Sequence, residues 1–121
     1  MDSPSAYVFL GPTVSVTVAA GNTIHVTSTA VLGTTNITGA TMSRLSVCHQ
    51  PAAGGVLIDN DADWSVVRIP VNTSIPMAVS QRISGLAAGT YNVGMCYRMA
   101  AGQSGNWNDN DWVTSKVLVL L

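Results

Sequence analysis

The chain has 121 residues, of which 47% are hydrophobic and only 9% charged, and its formal net charge is -1. This length fits a single domain spanning residues 1–121, because each of two domains would approach the size at which a hydrophobic core is marginal. Its few basic residues are scattered, which excludes a nucleic-acid backbone or an anionic membrane surface as the expected partner. No apolar run approaches the ~18 residues of a membrane span, so membrane insertion is not expected.

Alternating apolar and polar residues predict about eight short β-strands separated by glycine-rich and proline-rich turns. The predicted runs are 7–10, 13–19, 23–32, 43–50, 64–71, 77–84, 90–99 and 112–121. No segment carries a helical stripe, and the abundance of Val, Thr and Ser is typical of strands. We therefore expect an all-β fold, an antiparallel β-sandwich or jelly roll. The turn at 20–22 predicts a hairpin between the second and third runs.

Both ends of the chain depart from simple alternation. In 7–10 and 117–121 consecutive residues are apolar, whereas a two-layer sandwich buries only one face of each strand. We expect a second copy of the protein to cover the other face, since contiguous exposed apolar surface is typical of association sites. The alternative is that loops of the same chain fold over these strands.

Three segments carry a resemblance to a known family. Residues 14–27, from Val14 to Thr27, and residues 83–98, from Ile83 to Arg98, resemble early and penultimate strands of bacterial and phage heads related to the C1q and tumour necrosis factor jelly roll, and 112–121 takes the place of the last strand. The resemblance implies a jelly-roll sandwich that forms a compact homotrimer, with its terminal strands near the threefold axis. It also implies a role as a fibre tip or a soluble recognition head.

The acidic residues are unevenly distributed, and glutamate is absent. Asp59, Asp61 and Asp63 alternate along one short segment, and such carboxylates can converge on Ca²⁺, which favours six to eight oxygen ligands. The segment is not an EF-hand, because it lacks the required glycine and the final bidentate glutamate. A calcium site is therefore one hypothesis, and the other is that these residues simply form a solvated turn without any cofactor.

Tryptophan accompanies both acidic segments. Indole faces beside carboxylates and amides suit a polyhydroxylated ligand such as a sugar, because the ring offers contact area and the polar groups bond to hydroxyls. We therefore predict a ligand site formed by Asn106, Trp107, Asn108, Asp109 and Asp111 with Trp64. The alternative for Trp64 and Trp112, which begin strands, is burial at the end of the sandwich.

The two cysteines lie on the polar side of their strands. Leu45 and Val47 form the apolar face of the first strand, so Cys48 lies on the opposite face. Cys96 lies opposite the apolar face that contains Met95. A disulfide is possible if the two strands are neighbours, and two unpaired thiols are the alternative. His49 follows Cys48 directly, so it points to the opposite face and cannot act as its base.

No catalytic motif is present, so we do not expect an enzyme. The predicted function is that of a non-catalytic homotrimeric recognition or adhesion head that binds a glycan or another surface ligand. One alternative is a purely structural trimerising head, and a minor one is a glycoside hydrolase that uses paired Asp residues. We expect an extracellular location or one on a cell or particle surface, although 1–6 does not resemble a signal peptide.

Overall fold

The computed structural model describes residues 7–34, 37–60, 64–99 and 112–120, and these residues form strands and turns. Within these ranges no helix is long and apolar enough to cross a membrane. The strands are β1 (Val8–Phe9), β2 (Val14–Val18), β3 (Thr23–Gly33), β4 (Ala40–Pro51), β5 (Ile58–Asp59), β6 (Trp64–Ile69), β7 (Ser74–Ile83), β8 (Gly89–Met99) and β9 (Trp112–Leu120). The predicted all-β class is confirmed.

The strands form two antiparallel sheets, as expected of a sandwich. In the larger sheet β8 and β4 are central, with β1 and β2 both pairing with β8 and with β5 and β6 both pairing with β4. The smaller sheet has the order β7-β3-β9. Each of the predicted runs corresponds to a strand, and the alternation missed only β5.

The predicted hairpin between the second and third runs is wrong. β2 pairs with β8 in the larger sheet, whereas β3 lies between β7 and β9 in the smaller one. The turn between them closes with a bond of 3.1 Å from the amide of Asn22 to the carbonyl of Ala19, and the chain then crosses between sheets. Val16 and Val18 face the core from one sheet, and Ile24 and Val26 face it from the other.

The core lies between the two sheets and is filled by alternate residues of each strand. On β3 every second residue from Ile24 to Leu32 is buried, while His25, Thr27 and Thr29 between them are exposed. The polar member of the inward row, Ser28, shares a bond of 2.7 Å with the hydroxyl of Ser115 on β9. Pairing of this kind removes the penalty for burying a hydroxyl.

The chain ends leave apolar side chains in solvent. Val117 and Val119 pack against the core, whereas Leu118 and Leu120 on the other face of β9 are 61% and 40% exposed. On β1, Val8 is 52% exposed. The expectation that another copy covers such residues stays a prediction.

Candidate functional site

The predicted ligand site lies mostly outside the described residues. Asn106, Trp107, Asn108, Asp109 and Asp111 fall there, while Trp64 begins β6, where its backbone pairs with that of Leu45. The strands on either side of 100–111 reach the same end of the sandwich, because Met99 pairs with Met42 and Trp112 pairs with Val31. Met99 and Trp112, the described residues on either side of this segment, therefore lie at the end of the sandwich where β4 begins.

Asp59 is the one member of the predicted calcium set among the described residues. It pairs with Cys48, six residues beyond Met42 along β4, so it lies about 20 Å from the end of the sandwich that holds Met99. Asp61 and Asp63 lie outside the described residues. Within the described ranges no group of three His, Cys, Asp or Glu side chains can hold a metal ion. The calcium site stays a prediction.

The carboxylate of Asp59 accepts hydrogen bonds from two side chains that are distant in the sequence. The phenol of Tyr7, just before β1, donates to Oδ2 over 2.7 Å, and the hydroxyl of Ser46 on β4 donates to Oδ1. Both oxygens retain a second lone pair, since an ionised carboxylate has about four acceptor positions. Asp59 is thus fixed in place without being saturated.

Burial raises the pKa of Tyr7 above its ordinary value, and the hydrogen bond to Asp59 and the charge of Asp59 raise it further. The nearby charges of Arg98 and Arg44 act in the opposite direction. The guanidinium carbon of Arg98 lies 5.5 Å from the centre of the Tyr7 ring, within the range of a cation–π contact. Tyr7 therefore remains a neutral hydrogen-bond donor at ordinary pH.

A disulfide lies on the same face of the larger sheet as this network. Cys48 and Cys96 are joined, with their Cα atoms 5.7 Å apart, so the first of the two sequence alternatives holds. Both residues are fully buried although they point away from the core between the sheets. The β1–β2 connection runs over this face at Gly94, where an added Cβ would meet Thr13 Cγ2 at 3.3 Å.

A polar cleft opens beside Asp59, at the edge of the sandwich between β5 and β7. It has a volume of about 280 Å³ and is lined by Asp59, Asn60, Gln81, Arg82, Ile83 and Ser84. The side-chain amide of Gln81 donates to the carbonyl of Asn60 and so connects the two sheets across the cleft. The backbone amide of Asn60 in turn donates to the carbonyl of Val47 over 3.1 Å. The cleft therefore has a hydrogen-bonded base.

A second cavity, on the smaller sheet, has a different character. It has a volume of about 300 Å³ and lies between β3 and β7, where it is lined by Thr29, Ala30, Val31, Pro76, Met77 and Ala78. Its lining is largely apolar and carries no ionisable side chain. It is less suited than the polar cleft to a hydroxylated ligand.

His49 is nearly buried and faces the core side of β4. Burial lowers the pKa of its imidazole below 6.5, and a side-chain hydrogen bond with Asn60 partly opposes that change. Its Nδ1 has no hydrogen-bond partner among the described residues, and its ring meets that of Tyr91 edge to face at 5.9 Å. The prediction that His49 and Cys48 point to opposite faces of their strand agrees with this placement, because Cys48 points away from the core.

Several residues of this region were missed by reasoning from the sequence. Tyr7, Ser46 and Arg82 lie in separate segments of the chain, and no spacing rule connects them to Asp59. The one local signal was the polar run Ser80-Gln81-Arg82 in an otherwise alternating strand, which places Gln81 on the inward side. No protein-family profile, curated protein or solved structure matches this chain.

Proposed function

We propose that this protein is a non-catalytic recognition head, a homotrimeric jelly roll that binds a glycan or another surface ligand through loops rich in Asp, Asn and Trp. The observation that carries the proposal is the strand order of the two sheets. A location outside the cell or on the surface of a particle is part of the proposal. The Cys48–Cys96 disulfide is compatible with it, because such bonds persist in oxidising compartments.

The strand order supports the jelly-roll part of the proposal. A jelly roll winds eight strands through two Greek keys. One of its sheets has the order second, seventh, fourth and fifth strand, and the other has the order first, eighth, third and sixth. Here β2-β8-β4-β6 follows the first order, and β9-β3-β7 follows the last three positions of the second. The first strand of a jelly roll would lie at the outer edge of β9, whereas β1 pairs with β8 in the larger sheet.

The exposed face of β9 supports the association part of the proposal. Leu118 and Leu120 are exposed on β9, which is one of the two edge strands of the smaller sheet. Leaving a leucine in water forgoes about 1.5 to 3 kcal/mol relative to burial. A neighbouring copy that covered β9 would recover this free energy. The same observation favours the second candidate function, a purely structural head that trimerises without a small ligand.

A glycan array on the purified protein, repeated with Trp107→Ala, tests the recognition function. We expect a defined set of glycans to bind, and we expect Trp107→Ala to weaken binding by about 1 to 3 kcal/mol without altering the melting temperature. Val56→Ala, at an exposed position between β4 and β5, is the matched control and should bind as the parent does. If no glycan or surface extract binds the parent while it still trimerises, the structural head replaces the recognition head.

A further inference from the structure

The chain segment 7–13, which we call the strap, lies across the face of the larger sheet that carries the Cys48–Cys96 disulfide. Both cysteines are fully buried, although they point away from the core between the sheets. The smaller sheet packs against the opposite face of the larger sheet, so it does not provide this burial. The strap is therefore the described segment that stands between the disulfide and solvent.

Two contacts place the strap against the disulfide. Phe9 is the direct cross-strand partner of Cys96, and directly paired residues share a face, so Phe9 lies beside Cys96. Thr13 approaches Gly94 so closely that an added Cβ on Gly94 would lie 3.3 Å from its Cγ2. Gly94 in turn pairs with Cys48 on the neighbouring strand. The strap thus borders both halves of the disulfide.

The hydrogen bond between Tyr7 and Asp59 holds the first residue of the strap down on this face. Asp59 is the cross-strand partner of Cys48, and in the order β1-β8-β4-β5 it lies at the opposite end from β1. The 2.7 Å bond therefore crosses β8 and β4, the two strands that the disulfide joins. Ser46 donates to the other carboxylate oxygen of Asp59, and the Arg98 guanidinium carbon lies 5.5 Å from the centre of the Tyr7 ring. Both contacts fix the two partners of the bond.

The remainder of the strap is held weakly. β1 contains only two residues, and its Val8 is 52% exposed. Residues 11–13 are exposed as well. The Leu10 amide donates to the Met95 carbonyl over 2.8 Å, and Leu10 is the strap residue that is buried in the core. A segment with few buried side chains opens locally at a lower cost than the whole fold.

Reduction of the disulfide requires access to one of its sulfur atoms. A thiolate of a dithiol reductant attacks one sulfur, the S–S bond breaks, and the other cysteine leaves as a thiolate. The second thiol of the reductant then attacks the reductant's own sulfur in the mixed disulfide and releases the first cysteine. The dithiol is oxidised to its cyclic disulfide, and the protein gains two thiols. Because both cysteines are fully buried, this attack cannot begin while the strap is closed.

We propose that the strap gates the redox state of the Cys48–Cys96 disulfide, and that the Tyr7–Asp59 hydrogen bond is the latch of this gate. Opening of the strap exposes the sulfur atoms while the two sheets stay folded. The disulfide is then reduced from the open state, at a rate set by the opening equilibrium. This device does not depend on the recognition function or on the ligand.

The kinetics of reduction test the gate. The parent is mixed with excess dithiothreitol without urea, free thiols are alkylated at intervals, and mass spectrometry gives the reduced fraction. Tyr7→Phe should accelerate reduction by about fivefold to a hundredfold, the factor that corresponds to losing a hydrogen bond to a charged group. The rate should be proportional to the dithiothreitol concentration, as expected when the strap closes faster than the thiol attacks.

Ile24→Val is the matched control, because it trims a fully buried side chain and so destabilises the whole fold. Its strand, β3, lies in the smaller sheet, whereas the strap pairs with the larger one. We expect its reduction rate to stay within about twofold of the parent's, since local opening does not require the core to unfold. Urea well below the unfolding midpoint should also change the rate little, because opening the strap exposes little surface.

Four results would overturn the proposal. If both variants are accelerated in proportion to their loss of stability, reduction proceeds through global unfolding. If the parent is reduced as fast as its urea-unfolded form, the disulfide is not gated. If Tyr7→Phe is reduced no faster than the parent, the bond is not the latch. The double variant Tyr7→Phe with Asp59→Asn should match the faster single variant, and multiplied effects would mean that the two residues act separately.

Discussion

Tyr7 and Asp59 are joined by a hydrogen bond of 2.7 Å between the phenol and Oδ2, although they are separated by 52 positions in the chain. The bond joins β5 to the segment that precedes β1. In the order β1-β8-β4-β5 of the larger sheet, β1 and β5 are at opposite ends. It passes over the face that holds the Cys48–Cys96 disulfide. The contact therefore fixes both the start of the described chain and the orientation of the Asp59 carboxylate.

Replacing Tyr7 with Phe should lower the free energy of unfolding by about 1 to 3 kcal/mol, because a part-buried carboxylate loses one of its two side-chain donors. Urea denaturation measures the change. Tyr91→Phe is the control, since it removes a bond of 2.8 Å from a tyrosine hydroxyl to an exposed carbonyl, and it should cost less. Equal costs for the two variants would contradict a special role for the Asp59 contact.

The same residue predicts an effect at high pH. The pKa of Tyr7 is raised in the folded protein, so the unfolded chain ionises first as pH rises above 10.0. The contribution of Tyr7 to stability is full below that pH and is lost progressively above it. We expect the parent to lose stability above pH 10 more steeply than Tyr7→Phe, as measured by urea denaturation across that range.

Removing the disulfide should destabilise the protein without changing the fold. Cys48 and Cys96 are 48 positions apart, and crosslinks of this kind contribute about 2 to 4 kcal/mol through restriction of the unfolded chain. Cys48→Ala with Cys96→Ala should lower the urea midpoint to that of the reduced parent. Thiol titration of the unreduced, denatured parent should find no free cysteine, and two thiols per chain would contradict the bond.

Two substitutions test the association surface. Light scattering of the parent should give the mass of a trimer. The double variant Leu118→Ser with Leu120→Ser should give the mass of a monomer, because it replaces the exposed apolar side chains of β9 with polar ones. Ile37→Ser with Val56→Ser removes two other exposed apolar side chains and should leave the trimer intact. A parent that is monomeric at micromolar concentration would refute the proposed assembly.

Calcium binding is testable through stability. If Asp59, Asp61 and Asp63 hold calcium, millimolar calcium should raise the melting temperature and a chelator should lower it, because a ligand of the folded state stabilises that state. Asp61→Asn with Asp63→Asn should remove the response, whereas Asp109→Asn should keep it. An unchanged melting temperature in the parent would leave Asp59 with only its hydrogen-bonding role.

His49 predicts a pH effect on the acid side. Burial lowers its pKa in the folded protein, so the unfolded chain binds more protons below 6.5. Its contribution to stability is therefore full above pH 6.5 and is lost as pH falls toward the folded pKa, at up to about 1.4 kcal/mol per pH unit. His49→Phe keeps an aromatic ring beside Tyr91 and should show a shallower fall between pH 7 and pH 5. An identical slope in parent and variant would contradict a neutral buried histidine.

The strands themselves could be predicted from local pattern, because a half-buried strand imposes a period of two residues on its own sequence. β3 and β7 show this alternation most clearly. β5 was missed because the two residues Ile58 and Asp59 are too few to carry a period. The sequence also singled out Asp59, but as a calcium ligand, because it begins an alternating series of carboxylates, and that assignment stays a prediction.

The pairing of the strands was decided only by the tertiary structure. The inward residues of β2 and β3 alternate in the same way whether the strands form a hairpin or face each other from two sheets, so local pattern could not exclude the hairpin. Likewise, the alternation left the cysteine pairing open until β4 and β8 were seen to be neighbours. The cleft combines β5 with β7, and the Tyr7 contact spans the larger sheet, so both depend on long-range packing. The sequence by itself determined which residues alternate, and the tertiary structure determined which strands meet, because burial of a common core constrains all strands together.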